Sequence, residues 1–437
     1  MNTKMNTKRL FVGLAAAAVA AAMQARGDFT YGGYDTSTGY YQASGTASVS
    51  GKSYSTTSED TNVIQVRGGT FSMSGCTVTK EGGTSHTDQS DDSTSFYGLN
   101  SAVFAGNSDT STTAVIAMTN GTVTTSGQGA NAFFAYGGGI LYLDNIAVTN
   151  STSRQSRGLI ATGGGQIYAS NMYILTQGET SSVVATDRGG GTVVVDGGDY
   201  DAKGNKCAII YSAGTMEAYN ATGESSSGEI GIIEGDNSIV ISNCTFTSGS
   251  TSRALLMMQS GSGDASGTNP VMEITDSTLT VTESSVPLLE VATCVTASLT
   301  LDNVEVDVPS GVLMAVMEDS QWSTSGAVGN LTLKNGDYTG TVTVDDGYTG
   351  NVTVDSTATW TLTAETTVDT LVNNGTIVTG SYTLSYTTLS GNGRGRPLAR
   401  AGGGARLPQG VARCYPPTST LQPPGVFRPR PPSNPNL

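Results

Sequence analysis

The sequence predicts an all-β chain wound as a right-handed, single-stranded parallel β-helix, and three observations carry that expectation. Short alternating apolar segments recur at spacings of mostly 23 to 27 residues, a period that belongs to solenoids. Each is followed at a fixed offset by Asn, Asp or Gly, and then by a single apolar residue. A second apolar run, such as Leu159-Ile160 or Val183-Val184, follows in every repeat. With 437 residues the chain is long for one globular core but natural for an array that grows along one axis.

Taken in order, residues 1–25 read as a secretory signal. Lys4, Lys8 and Arg9 precede an apolar run from Leu10 to Ala22, too short to span a bilayer comfortably. Residues 26–62 hold Tyr31, Tyr34, Tyr40 and Tyr41 and show no repeat, so they are expected to cap the open strand edge of the solenoid. Arg26-Gly27-Asp28 matches the integrin-binding tripeptide, but such matches are frequent and this one adjoins the cleavage region.

The β-helix is expected over 63–390. From Phe71 onward the template apolar, any, apolar, any, Asn/Asp/Gly, any, any, apolar recurs ten times. Its first column runs Phe71, Ile116, Leu141, Ile167, Val193, Met216, Ile239, Met272, Leu299 and Leu331. Its polar column runs Gly75, Asn120, Asn145, Asn171, Gly197, Asn220, Asn243, Asp276, Asn303 and Asn335. Alternation over three residues makes a strand with one face inward. Asn at the next position suits a bend, because it tolerates the left-handed backbone, and stacked carboxamides can bond one another as a ladder. The sixth copy breaks the last apolar column with Gly223. Three longer spacings place polar insertions at Lys80 to Thr94, around Gly261 to Asp264, and at Asp319 to Gly326, all read as loops off the solenoid.

Shorter turns follow Leu331. Here Trp360-Thr-Leu362-Thr-Ala, then Val368, Leu371 and Asn373-Asn-Gly375-Thr-Ile377, resemble the passenger region of bacterial autotransporter adhesins. That group lies within the right-handed parallel β-helices that include pectate lyases. The resemblance covers roughly 63–390 and implies display at, or release from, a bacterial surface. Passengers of that group are followed by a membrane β-barrel. Residues 391–437 instead hold ten prolines, seven arginines and no acid, and read as a disordered tail, the frame-shifted end of a longer parent.

Charge narrows the partners. All 36 acidic residues lie between the signal and residue 390. Of 21 basic residues, three fall in the signal and seven in the tail, which leaves 11 and a body charge of −25. Such a surface disfavours nucleic acid and anionic membranes. The four body cysteines read as buried small hydrophobes rather than a disulfide framework. His86, the one histidine, has no His or Cys at ligand spacing, so no metal or cofactor is expected.

The candidate ligand-binding residues are Tyr142, Tyr168, Tyr173 and Asp144. Tyr142 and Tyr168 fall in one outward column on successive coils, with Tyr173 nearby, and exposed rings in a row stack on sugars or anchor proteins. Asp144 and Asp196 share another outward column two coils apart, ~10 Å, a little beyond the ~6.5–9.5 Å of an inverting glycosidase pair. No base neighbours them, so no catalytic residue is assigned. The expectation is therefore a secreted or cell-surface adhesin-like monomer binding a host or matrix protein or a glycan. A polysaccharide lyase or glycoside hydrolase is the alternative.

Overall fold

Apolar residues alternating at Leu141 and Leu143 can satisfy their backbone only by pairing with neighbours, and the nearest equivalent segments are one repeat away. A computed structural model shows that pairing. It describes residues 37–394 except 87–92, 108, 152, 261–264 and 320–325. The signal, the Arg26-Gly27-Asp28 tripeptide, Tyr31, Tyr34 and the tail from 395 onward lie outside the described residues. The protein is a parallel β-helix without α-helix among the described residues, so no helix there is long and apolar enough to cross a membrane.

Leu141 pairs in parallel with Ile116 on one side and Ile167 on the other, and Val148 likewise with Val123 and Ile174. Each coil contributes up to three strands. We call the faces front (before the Asn position), flank (after it) and back (the second apolar run). In the central coils front and flank form one continuous bent strand: Ala114–Thr125, Gly139–Asn150, Gly165–Thr176 and Gly191–Ala202. The back sheet holds twelve strands from Ser37–Gln42 to Thr341–Val344. One continuous core fills the interior, with the first and third template columns buried from Phe71 to Leu333.

The bend lies where the polar column places it. Asn120, Asn145, Asn171, Asn220, Asn243, Asp276, Asn303 and Asn335 all have φ between 48° and 56°, and Gly75 and Gly197 fall in the same region. That conformation costs most L-residues ~1–2 kcal/mol, which is why the column is restricted to Asn, Asp and Gly. The side-chain ladder is real but interrupted. Asn145 Nδ2 donates to Asn120 Oδ1 at 2.7 Å, and Asn243 Nδ2 to Asn220 Oδ1 at 2.7 Å. Asn171, Asn220 and Asn335 turn instead to Asp144, Asp196 and Asp302, because a carboxylate is the stronger acceptor.

Three sequence expectations change here. The boundary at residue 63 is too late. Ser37–Gln42 pairs with Asn62–Val66, Thr46–Ser50 with Thr70–Ser74, and Ser53–Thr56 with Thr77–Lys80, so residues 37–56 form a full coil. Its inward positions, Ala47, Val49 and Tyr54, are only half-buried, being at the end of the stack. Tyr40 closes that end by stacking on Phe71, with ring centres 3.9 Å apart.

Second, Lys80 does not open a projecting loop. It points inward in a column with Thr56 and Thr125, is fully buried, and donates from Nζ to Ser58 O at 2.6 Å. Burial lowers its pKa to about 8. Third, the first insertion ends buried at Ser93 and Thr94 rather than projecting, and the chain just past it folds back over the outer side of the back sheet. Thr162 Oγ1 donates to Phe96 O at 2.7 Å, Arg188 lies over the Phe96 ring, and Tyr97 meets Tyr136 edge-on. Beneath lie Phe104, Phe134 and Ile160, outward-facing yet fully buried.

Two residues that depart from the template have local reasons. Gly223 sits between Tyr200 and Phe246 in the final apolar column. A Cβ there would lie 2.4 Å from the Tyr200 carbonyl oxygen and 3.3 Å from the Phe246 ring, so the close approach of the coil below and the ring above leaves room only for Gly. Trp360 is fully buried between Tyr338 and Ile377 in a short three-stranded sheet, and its Nε1 donates to Gly340 O at 3.0 Å. Cys76, Cys207 and Cys244 are buried and free as expected, whereas Cys294 is only half-buried. Cys207 is more than a hydrophobe, since its Sγ accepts from Ser181 N at 3.1 Å.

The bend column can be tested at Asn145. Replacing it by Gly should preserve the backbone and lose only side-chain hydrogen bonds. Replacing it by Val should cost ~1–2 kcal/mol more, from the left-handed backbone alone. Thermal melts followed by circular dichroism should therefore rank wild type, Asn145→Gly and Asn145→Val in falling order.

Candidate functional site

The site is built by register. The front strands carry three outward columns, and stacking places Ser48, Ser72, Ala117, Tyr142 and Tyr168 in one of them. The neighbouring column holds Ser50, Ser74, Thr119, Asp144 and Ser170. Because coils advance by ~4.8 Å, aromatic residues on successive rungs must stack. The Tyr142 and Tyr168 rings are 5.5 Å apart and within 16° of parallel. Burial, then the neighbouring Tyr142 and Glu217, raises the pKa of the Tyr168 phenol, so it stays protonated and donates to Gln166 Oε1 at 3.0 Å.

Below the rings the front face is hollow. Ser48, Ser50, Ser72, Ser74, Ala117 and Thr119 line an open trough of about 620 Å³. It is a shallow groove open to solvent rather than an enclosed cleft. The sequence reasoning missed the trough, although its signal was there: the pairs Ser48/Ser50 and Ser72/Ser74 are small at both outward positions of consecutive coils.

Asp144 stands one rung above Thr119, beside Tyr142. Its Oδ1 accepts from Ser170 Oγ at 2.7 Å and from Asn171 Nδ2 at 3.0 Å, which fixes the carboxylate. Asp196 is two rungs from Asp144 with Ser170 between, and Asn220 Nδ2 holds its Oδ1 at 2.6 Å. Tyr173 is not part of the ring stack. It lies past the bend on the flank, paired with Ala147 and Asp199, and is 45% exposed. The structure thus brings together Tyr142, Tyr168 and Asp144, and leaves Tyr173 on another face. Two rungs above Tyr168, Glu217 accepts from Tyr219 OH at 2.9 Å, and burial together with that bond raises the Tyr219 pKa to about 12.

A second constellation lies on the back sheet and was not foreseen. Arg253 Nε meets Glu229 Oε1 at 3.2 Å, while its Nη1 meets Glu290 Oε1 at 3.0 Å and Asp319 Oδ2 at 2.6 Å. All three carboxylates are buried, beside an apolar outer cluster of Leu256, Met258 and Ala292. One guanidinium cannot neutralise three carboxylates. Burial first, against the pull of Arg253, and then the hydrogen bond and charge of Asp319 raise the Glu290 pKa to about 7. The sequence signal was a lone Glu inside the apolar run Leu288-Leu289-Glu290-Val291. Asp319 shows that the third insertion, at its first residue, is held against the back sheet rather than projecting.

Among the described residues, no group of three or more His, Cys, Asp or Glu is arranged to hold a metal ion. No protein-family model, curated protein or solved structure matches the chain.

The ion cluster makes stability depend on pH. A carboxyl whose pKa rises on folding contributes stability that is fully present below its ordinary value of 4.5 and lost as pH climbs through about 7. The shift corresponds to about 3 kcal/mol at most. Glu290→Gln keeps a donor toward Asp319 and cannot ionise. Melting curves between pH 4.5 and 8 should show wild type losing stability relative to the variant across that window. Parallel curves would contradict the assignment.

Proposed function

We propose that this chain is an exported, surface-associated β-helical protein of adhesin type that binds a glycan, free or on a host or matrix partner, and performs no catalysis. The observation that carries this reading is the Tyr142–Tyr168 ring stack ending over a hydroxyl-lined trough. Aromatic faces bind the apolar faces of sugar rings, and Ser and Thr hydroxyls exchange hydrogen bonds with sugar hydroxyls. The apolar run near the N-terminus supports export, and the net charge of −15 supports a partner that is neither nucleic acid nor anionic membrane.

A polysaccharide lyase or glycoside hydrolase is a second reading with one observation in its favour. Glu290 holds a proton near neutral pH beside Asp319, as a general acid must. Against it, both groups are no more than 5% exposed, and Asp144 and Asp196 each commit an oxygen to the Asn ladder.

A glycan-array screen run beside a polysaccharide depolymerisation assay tests the two together. Binding should fall roughly tenfold or more in Tyr142→Ala/Tyr168→Ala, as expected for losing two stacking rings, with no depolymerisation by either protein. Turnover that disappears in Asp144→Asn/Asp196→Asn or in Glu290→Gln would replace the binding reading by the enzymatic one.

A further inference from the structure

The two tyrosine rings stack along the solenoid axis, so both faces of each look toward neighbouring coils. The upper face of Tyr142 is covered by Tyr168. Its lower face looks onto the next rung, where the column holds only the methyl group of Ala117, followed by Ser72 and Ser48. The ring ladder therefore ends in mid-column, and the trough occupies the place where the next ring would stand. A flat six-membered ring laid there continues the stack at the spacing the coils impose.

The charge around this place has one sign. From the Thr46–Ser50 strand to the Thr296–Asp302 strand, the three outward front columns contain no Lys or Arg, but they hold Asp144, Asp196, Glu217, Glu273 and Asp302. Lys52 follows Ser50 past the bend of the first coil, three rungs from Asp144's strand at the other end of the trough. Asp144 is the acid beside the free face, one rung above Thr119. Its Oδ1 is held by Ser170 and Asn171, whereas its Oδ2 meets no donor among the described residues.

We infer that the trough takes an amino-sugar glycan, with one pyranose ring on the free face of Tyr142 and its ammonium group on Asp144 Oδ2. This rests on the glycan-binding reading above and specifies its ligand. The same charge works against the uronic-acid polymers that lyases cleave, because their carboxylates would face Asp144 across a few ångströms of unscreened space. A lysine-rich peptide would satisfy Asp144 but leave the ring face and the hydroxyl floor without a partner.

Calorimetric titration of the full chain with short oligomers of glucosamine, N-acetylglucosamine and galacturonate, below neutral pH, tests this. Glucosamine should bind about tenfold more tightly than its N-acetyl form, the worth of one charge-assisted hydrogen bond, and galacturonate most weakly. Asp144→Asn should bring glucosamine down to the N-acetyl level and leave the N-acetyl affinity unchanged. Ala117→Tyr, which fills the vacant place in the ladder without removing any core contact, should abolish binding of all three.

Equal affinity for the two neutral and cationic sugars, or a preference for galacturonate, overturns the inference while leaving glycan binding in place. Polylysine that displaces glucosamine from wild type and still binds Ala117→Tyr also overturns it, by showing that charge alone is recognised. If no oligomer binds at all while melts show both variants folded, the glycan-binding reading itself falls.

Discussion

From the first coil to the one that turns at Asn335, the chain passes from front to flank through a left-handed backbone conformation, and the stack depends on that corner recurring at the same place. The corner fixes which side chains point inward before and after it. If one coil turned a residue early, its flank would present the wrong face to the core, because strand side chains alternate with period two. Asn120, Asn145 and Asn171 meet the requirement by backbone tolerance, and Gly75 and Gly197 by having no side chain. The exposed carboxamides then add hydrogen bonds between coils, or reach a carboxylate one column over where Asp144, Asp196 or Asp302 stands nearby.

Because the corner fixes register, it also fixes the composition of every surface column. The front face is a printed version of the sequence at known offsets: small residues over three coils, then two rings, then acids. No loop is needed to assemble it. The back face differs, since part of it is covered by chain that leaves the solenoid and returns, as Tyr97 does over Phe104, Phe134 and Ile160. Function that needs access is therefore better placed on the front, while the back can hold buried ion groups such as Arg253 with its three carboxylates.

This division also explains what could be read from the sequence. The parallel stacking, the corner column and the Tyr142–Tyr168 rung were legible because they repeat at one spacing, and repetition separates pattern from chance. The coil at 37–56 carries the same template in Ala47, Val49, Gly51 and Tyr54, but with small inward residues in a stretch rich in Ser, Thr and Tyr its apolar pattern is faint. Lys80 breaks the rule that charge marks exposure, because its stem fills the interior and its amine finds one carbonyl. The Arg253 cluster joins residues from separate coils and an insertion, a proximity that no fixed offset encodes. The trough escaped notice for a different reason: it is defined by missing side chains.

Gly223 shows what such architecture means for variation. A side chain on this coil would meet the backbone of Tyr200 on one side and the ring of Phe246 on the other, so the identity of one position is set by three turns of the chain. A bulkier residue there is tolerated only if the backbone at Tyr200 shifts and the residue at Phe246 yields space. Homologues should accordingly drift in vertical triplets, compensating along the axis rather than around the cross-section. Gain or loss of whole turns, which carries the neighbours' shapes along with it, disturbs less than a single exchange.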